Sequence, residues 1–160
     1  MVDVIDKALG EDADIIALRN RRETLKAKTQ ASYEAALTPK DPGNFSYAMR
    51  AALAARMCAH WKAGELEAHY RDLLKSYGET AFDAIPDPAF RARDSDPKVD
   101  AILNRVDTVT LSPKEATRDD VEKLYAVGLD DRDIVTLASL TAFVNYQILV
   151  VAGLKMLRDH

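Results

Sequence analysis

The stretch from Asp130 to Arg158 contains no proline and one glycine, Gly153. Nothing in it interrupts a helix that begins on the acids Asp130 or Asp131, which suit the positive end of the helix dipole, and closes on Lys155 and Arg158. Between Ile134 and Leu157 the polar residues Thr136, Ser139, Thr141, Asn145, Gln147 and Lys155 are spread round this helix instead of forming one stripe. Much of its circumference must therefore be covered. A chain of 160 residues has the length of one domain, too small to bury so long a helix on all sides. A second subunit is expected to cover part of it.

The remainder is also sparsely punctuated, with 6 Gly and 6 Pro among residues of high helix propensity, which predicts an all-α single domain over residues 1–160 with about six or seven helices. A first helix is expected over residues 12–37, stopped by Pro39 and the Asp41-Pro42-Gly43 turn. Its seam of Ile15, Leu18, Arg22, Leu25, Thr29, Ser32 and Ala36 places Arg22 half-buried, in need of a carboxylate or carbonyl partner. A second helix over 46–63 carries Phe45, Met49, Leu53, Met57 and Trp61 on one core face, with Gly64 as its break. A third over 65–77 presents Leu66, Tyr70 and Tyr77 and ends at Gly78. Residues 79–97, with Pro86, Pro88 and Pro97, read as a long irregular connection with room for a short helical turn. A short helix follows around Val99, Ile102, Leu103 and Val106. The next is capped by Thr117 with Asp120 and ends at Gly128.

With 48% hydrophobic and 30% charged residues the composition is globular. The charge balance of 22 − 26 = −4 provides no positive field for phosphates, so nucleic acid is not an expected partner. The longest unbroken apolar run, residues 148–154, is far shorter than a bilayer span, so no membrane association is expected. The first residues are acidic and carry no basic segment followed by an apolar core, which predicts a cytoplasmic protein. One cysteine, Cys58, cannot pair within the chain, in keeping with a reducing compartment.

Cys58 is the one candidate thiol nucleophile, and such a group needs a helix N-terminus or a neighbouring cation to depress its pKa. It lies inside its helix among alanines, with Lys62 as the one cation three or four residues away, and reads more simply as a small buried hydrophobe. His60 is about 200° further round the same helix, so the two side chains point apart. The histidines His60, His69 and His160 have no spacing that puts two on one helical face, and no glycine-rich phosphate loop occurs. Neither metal nor cofactor is expected. The basic segment Arg19, Arg21, Arg22, Lys26 and Lys28 lacks interleaved aromatics and reads as a solvated face. Asn145, Tyr146 and Gln147 interrupt the most apolar helix, and buried amides need partners in the protein, in water or in a ligand. With His69 and Tyr70 they form a candidate pocket lining for a small organic ligand, the alternative being a satisfied core network.

The run Pro113-Lys-Glu-Ala116-Thr117, with Leu124, Gly128-Leu129, Ile134-Val135, Leu137, Phe143-Val144 and Tyr146-Gln147, resembles the carboxymuconolactone decarboxylase and alkylhydroperoxidase D-like superfamily. It is most similar to that superfamily's uncharacterised peroxidase-related subgroup. Leu18-Arg19, Arg21-Arg22, Gln30, Tyr33, Pro39, Arg50 and Leu66-Glu-Ala-His69-Tyr70 extend the likeness to the N-terminal half. The resemblance implies an all-helical alkylhydroperoxidase-type bundle that assembles into dimers, trimers or hexamers. Active members carry Cys-x-x-Cys with a histidine four residues later. Matching the family's arginine to Arg132 puts Asn145, Ile148 and Ala152 in those places. Matching Cys58 to the first cysteine puts His60 between the pair, but Trp61 replaces the second cysteine and Glu65 the histidine. Dithiol peroxide reduction is unsupported in either register, and a one-cysteine variant on Cys58 and His60 would need an external thiol. The expectation is an alkylhydroperoxidase-like scaffold, with a non-redox binding or partner protein as the alternative. A lactone-type acid–base enzyme using His69, Arg50 and Arg56 is a third reading.

Overall fold

The computed structural model describes residues 3–159, so Met1, Val2 and His160 lie outside the described residues. Within them the chain forms eight α-helices and no strand: α1 Val4–Ala8, α2 Ala13–Asn20, α3 Glu23–Leu37, α4 Tyr47–His60, α5 Gly64–Tyr77, α6 Pro97–Leu111, α7 Arg118–Ala126 and α8 Asp131–Arg158. The all-α expectation holds, and the long C-terminal helix is present. Short 3-10 turns occupy Thr80–Phe82 and Arg93–Ser95 within the proline-rich connection, and a third covers Pro113–Glu115.

The helix buried on every side is α4. All residues from Ala48 to Cys58 are buried, and five alanines among them let α5, α8, α6 and α3 pack closely round it. Helix α8 runs along this centre with Leu137, Leu140, Phe143, Val144, Gln147, Ile148 and Val151 turned inward. Its opposite side is open, with Val135, Leu149, Met156 and Leu157 all exposed. By length and mean hydropathy, 1.8, α8 could cross a membrane; 44% of that apolar stretch is buried inside the protein. The unbroken run of residues 148–154 understates it, because single polar residues interrupt a longer apolar segment. The two acids at its start form a reciprocal cap in which Asp130 accepts from the Asp133 backbone N–H and Asp133 from that of Asp130. Thr117 and Asp120 cap α7 in the same way.

Four local expectations are corrected. The predicted helix over 12–37 is two helices, α2 and α3, separated at Arg21 and Arg22, which adds an element, as does α1 beneath its Asp3 cap. The break turns Arg22 out to solvent. Arg19 is the half-buried arginine instead, paired with Asp3 at 2.7 Å and with Asp6. Trp61 leaves the core stripe, because α4 ends at His60 and Trp61 is its exposed cap. The turn after α4 is made by Lys62, whose φ of 54° lies in the left-handed region, whereas Gly64 opens α5.

Candidate functional site

Two arginines of α4 reach in different directions. Arg56 has no solvent exposure and donates from Nε and Nη2 to the two carboxylate oxygens of Asp107 on α6, each at 2.7 Å. Its remaining donors hold the carbonyls of Ile85, Asp87, Pro88 and Phe90, so one side chain ties down the proline-rich connection. His60, one turn further along α4, meets the same carboxylate at 2.8 Å. Burial pushes the Asp107 carboxyl up, but the hydrogen bonds and charge of Arg56, then of His60, outweigh it and hold the group below the usual carboxylate range.

Cys58 has no solvent exposure either, and burial, with Glu67 nearby, pushes its thiol far up. Its electrostatic neighbours Glu67 and Tyr70 belong to α5, while His60 is bound to α6. The two residues therefore serve opposite neighbours, as the helical spacing predicted.

His69 and Tyr70 sit at one aromatic cluster. The Tyr33 hydroxyl and His69 Nε2 share a hydrogen bond of 2.9 Å, and the Tyr70 hydroxyl donates to the Gln147 side-chain carbonyl. Tyr33 lies against Tyr70 at 6.4 Å between ring centroids and against Phe143 at 6.3 Å. Burial, then Lys7, lowers the His69 pKa against the opposing pull of Asp72. Burial raises Tyr33 to about 12, reinforced by Tyr77 and Glu34.

The three successive polar residues of α8 do not converge. Rotating by about 100° each, Gln147 faces Tyr70 in the core, Tyr146 turns to Thr29 of α3 at 3.2 Å, and Asn145 faces α6. Asn145 donates to the Thr141 carbonyl and to Thr110 Oγ1, and accepts from Trp61 Nε1. Asn145 is satisfied by the protein itself, and the Gln147 carbonyl by Tyr70. His69, Tyr70 and Gln147 share one cluster, Tyr146 borders a groove, and Asn145 belongs to neither.

That groove lies between α3 and α8. Two cavities, of about 700 Å³ and about 320 Å³, share Leu25, Thr29 and Tyr146 as common wall. Arg50 borders the larger one and is 4% exposed. It donates to the carbonyls of Phe45 at 3.0 Å, Ala36 at 2.8 Å and Pro42 at 2.9 Å, and has no carboxylate partner among the described residues. Burial lowers its pKa, Tyr47 opposes this and Arg132 adds to it. Across the mouth Arg132 pairs with Asp41 at 2.7 Å. Elsewhere, Arg105 Nη1 is buried without a partner beside a cleft of about 90 Å³, which has room for water.

The residues that sequence reasoning missed are Asp107, Tyr33 and Thr29. Asp107 could have been found, since an acid beside the Leu103, Val106 and Thr110 stripe needs a buried cation. Arg50, Arg56 and His69, weighed together for a lactone site, occupy three separate networks. Among the described residues no group of three His, Cys, Asp or Glu is placed to hold a metal ion.

No protein-family model and no curated protein matches the chain. Its fold is similar to the crystal structure of an uncharacterized peroxidase-related protein from Silicibacter sp. TM1040, with a TM-score of 0.69 at 19% identity. The match covers 80% of this chain and 66% of that one, just under two thirds of its length. At this identity the likeness establishes a shared helical fold.

Proposed function

We propose that this chain is a non-redox, homo-oligomeric small-molecule-binding protein on the peroxidase-related helical scaffold. The observation that carries the reading is Cys58, which is fully buried with its thiol pushed far up. A thiol peroxidase needs an accessible thiolate beside a base or cation, and His60 is committed to Asp107. The competing reading, an alkylhydroperoxidase-type enzyme on Cys58 with an external thiol, draws support from the fold it shares with a peroxidase-related protein. Organic-hydroperoxide consumption with excess thiol, for the parent and Cys58→Ser, separates them. The binding reading expects no turnover in either protein; turnover lost in the variant would replace it with the peroxidase.

Self-association is supported by the open side of α8. Val135, Ala138, Ala142, Tyr146, Leu149, Gly153 and Met156 follow steps of three and four and are all exposed, with no charge among them. Small residues at 138, 142 and 153 suit close approach of a second helix. A strip about 32 Å long and about 10 Å wide on each of two copies gives roughly 640 Å² before flanking loops, about half of the ~1,200 Å² of the smaller stable interfaces. Sedimentation should find an oligomer that Leu149→Glu dissociates.

A further inference from the structure

We propose that the groove between α3 and α8 binds a monocarboxylate with an aliphatic or aromatic body, its carboxylate at Arg50 and its body along the apolar wall toward Tyr146. This rests on the binding-protein reading above and names the ligand class.

Charge is the first argument. Two cationic residues, Lys28 and Arg50, line the larger cavity and three, Arg19, Arg22 and Lys26, line the smaller one beside it, against one acid, Asp41. The chain as a whole carries −4, so the groove runs against the general balance. Arg19 and Lys26 are already paired with Asp3 and Asp6, and Asp41 is paired with Arg132. Arg22, Lys28 and Arg50 make no ion pair among the described residues, leaving a positive excess for an anion.

The second argument is the state of Arg50. A guanidinium has five N–H donors, and three donate to the Phe45, Ala36 and Pro42 carbonyls. Two donors and a whole charge remain, on a residue that water barely reaches, and a buried charge is costly without an opposite one. An arginine suits a carboxylate because its fork can hold both oxygens.

Shape decides the rest of the ligand. Ala36, bonded to Arg50, is seven residues from Thr29, or about 10 Å along α3. The wall over that distance is Leu140, Phe143 and Tyr146 from α8, with Leu25 beyond. A buried cation at the Arg50 end and an apolar wall beside it match a single anionic group on a hydrophobic body. Volumes of about 700 Å³ and about 320 Å³ fall in the range of small-molecule sites.

The test is titration calorimetry of the 160-residue chain with octanoate, using octan-1-ol and octylammonium as controls. Octanoate should saturate one site per chain, at least about tenfold tighter than either control, because the charged hydrogen bonds distinguish them. Arg50→Gln should abolish binding. That variant also removes donors from three carbonyls, so Leu25→Asp, which sets an acid on the exposed wall, provides a second arm: it should weaken octanoate at least about tenfold with the melting curve retained. Equal binding of octanoate and octan-1-ol would overturn the proposal, reducing the groove to an apolar crevice. So would absence of binding together with dissociation of an oligomer by Leu25→Asp, which would make the groove a contact between copies. Octanoate binding alongside Cys58-dependent peroxide turnover would retire the non-redox reading and keep the site. Neither binding nor turnover would retire the site and keep that reading.

Discussion

Arg50 and Arg56 lie six residues apart on the same buried helix and are both shielded from water, yet the fold treats their charges differently. At Arg56 a carboxylate from α6 supplies the opposite charge and four carbonyls complete the shell. At Arg50 the partners are carbonyls alone, one of them from the C-terminal turn of α3, whose helix dipole favours a cation there. The first arginine is a closed structural knot beneath a long connection. The second is anchored but not neutralised, and it faces a cavity. A buried arginine thus points to ligand binding when its charge, as opposed to its hydrogen bonds, has been left unmatched.

The strongest way to break this comparison is to give Arg56 the condition of Arg50. Asp107→Ala leaves a fully buried guanidinium without its carboxylate and should cost about 3–5 kcal/mol of stability, measured by urea unfolding. The connection over residues 79–97, held by Arg56, should become the preferred site of limited proteolysis. A loss below about 1 kcal/mol would mean that the four carbonyls suffice for Arg56, and that the missing acid at Arg50 carries no message. Arg50→Met should cost less, about 1.5–3 kcal/mol, because the carbonyls it releases lie beside the groove and water can reach them. Equal losses at the two positions would erase the distinction.

How much of this was legible in the sequence differs between the two ends of α4. The all-helical class, the core run of α4 and the cap at Thr117 follow from local periodicity and capping chemistry, which a sequence displays directly. The break at Arg21 and Arg22 has no glycine or proline to announce it, so the arginine drawn inward was misplaced by three residues, from Arg19 to Arg22. Lys62, with a positive φ, makes the break that was expected at Gly64, two residues on. Asn145, Tyr146 and Gln147 were legible as polar interruptions but not as residues with three different neighbours, which depends on where α3, α5 and α6 are packed. The α3–α8 groove joins positions more than a hundred residues apart in sequence, and no local pattern encodes such a pairing.

Acid sharpens the contrast in a smaller way. Asp107 is held below the usual carboxylate range in the folded chain, chiefly by Arg56 against the upward pull of burial. Its contribution is therefore present above the unfolded-state value near ~3.9 and is lost as pH falls through the lower folded value. Unfolding followed from pH 6 downward should show the Asp107→Asn variant with a shallower acid loss than the parent. His69, whose folded value is lowered by burial and then by Lys7, acts at higher pH. The unfolded chain takes up its proton first, so stability declines as pH drops below ~6.5, and His69→Gln should remove that slope while leaving the acid loss in place. Identical acid limbs for parent and Asp107→Asn would detach the Arg56 knot from the titration.

The smallest effect is expected at Asp41, and it bears on Arg50 most directly. This acid is exposed and paired with exposed Arg132 at the mouth of the groove, a setting in which ion pairs add little to stability. Asp41→Asn should leave the melting temperature unchanged. It also removes the one acid lining the groove and frees the Arg132 guanidinium, which stands near Arg50 and opposes its charged form. Octanoate should then bind about twofold to threefold tighter, with the gain shrinking as salt is raised because both charges are in solvent. An unchanged affinity in low salt would mean that the carboxylate does not approach this end of the groove, and would move its seat from Arg50 toward Lys28 or Arg22.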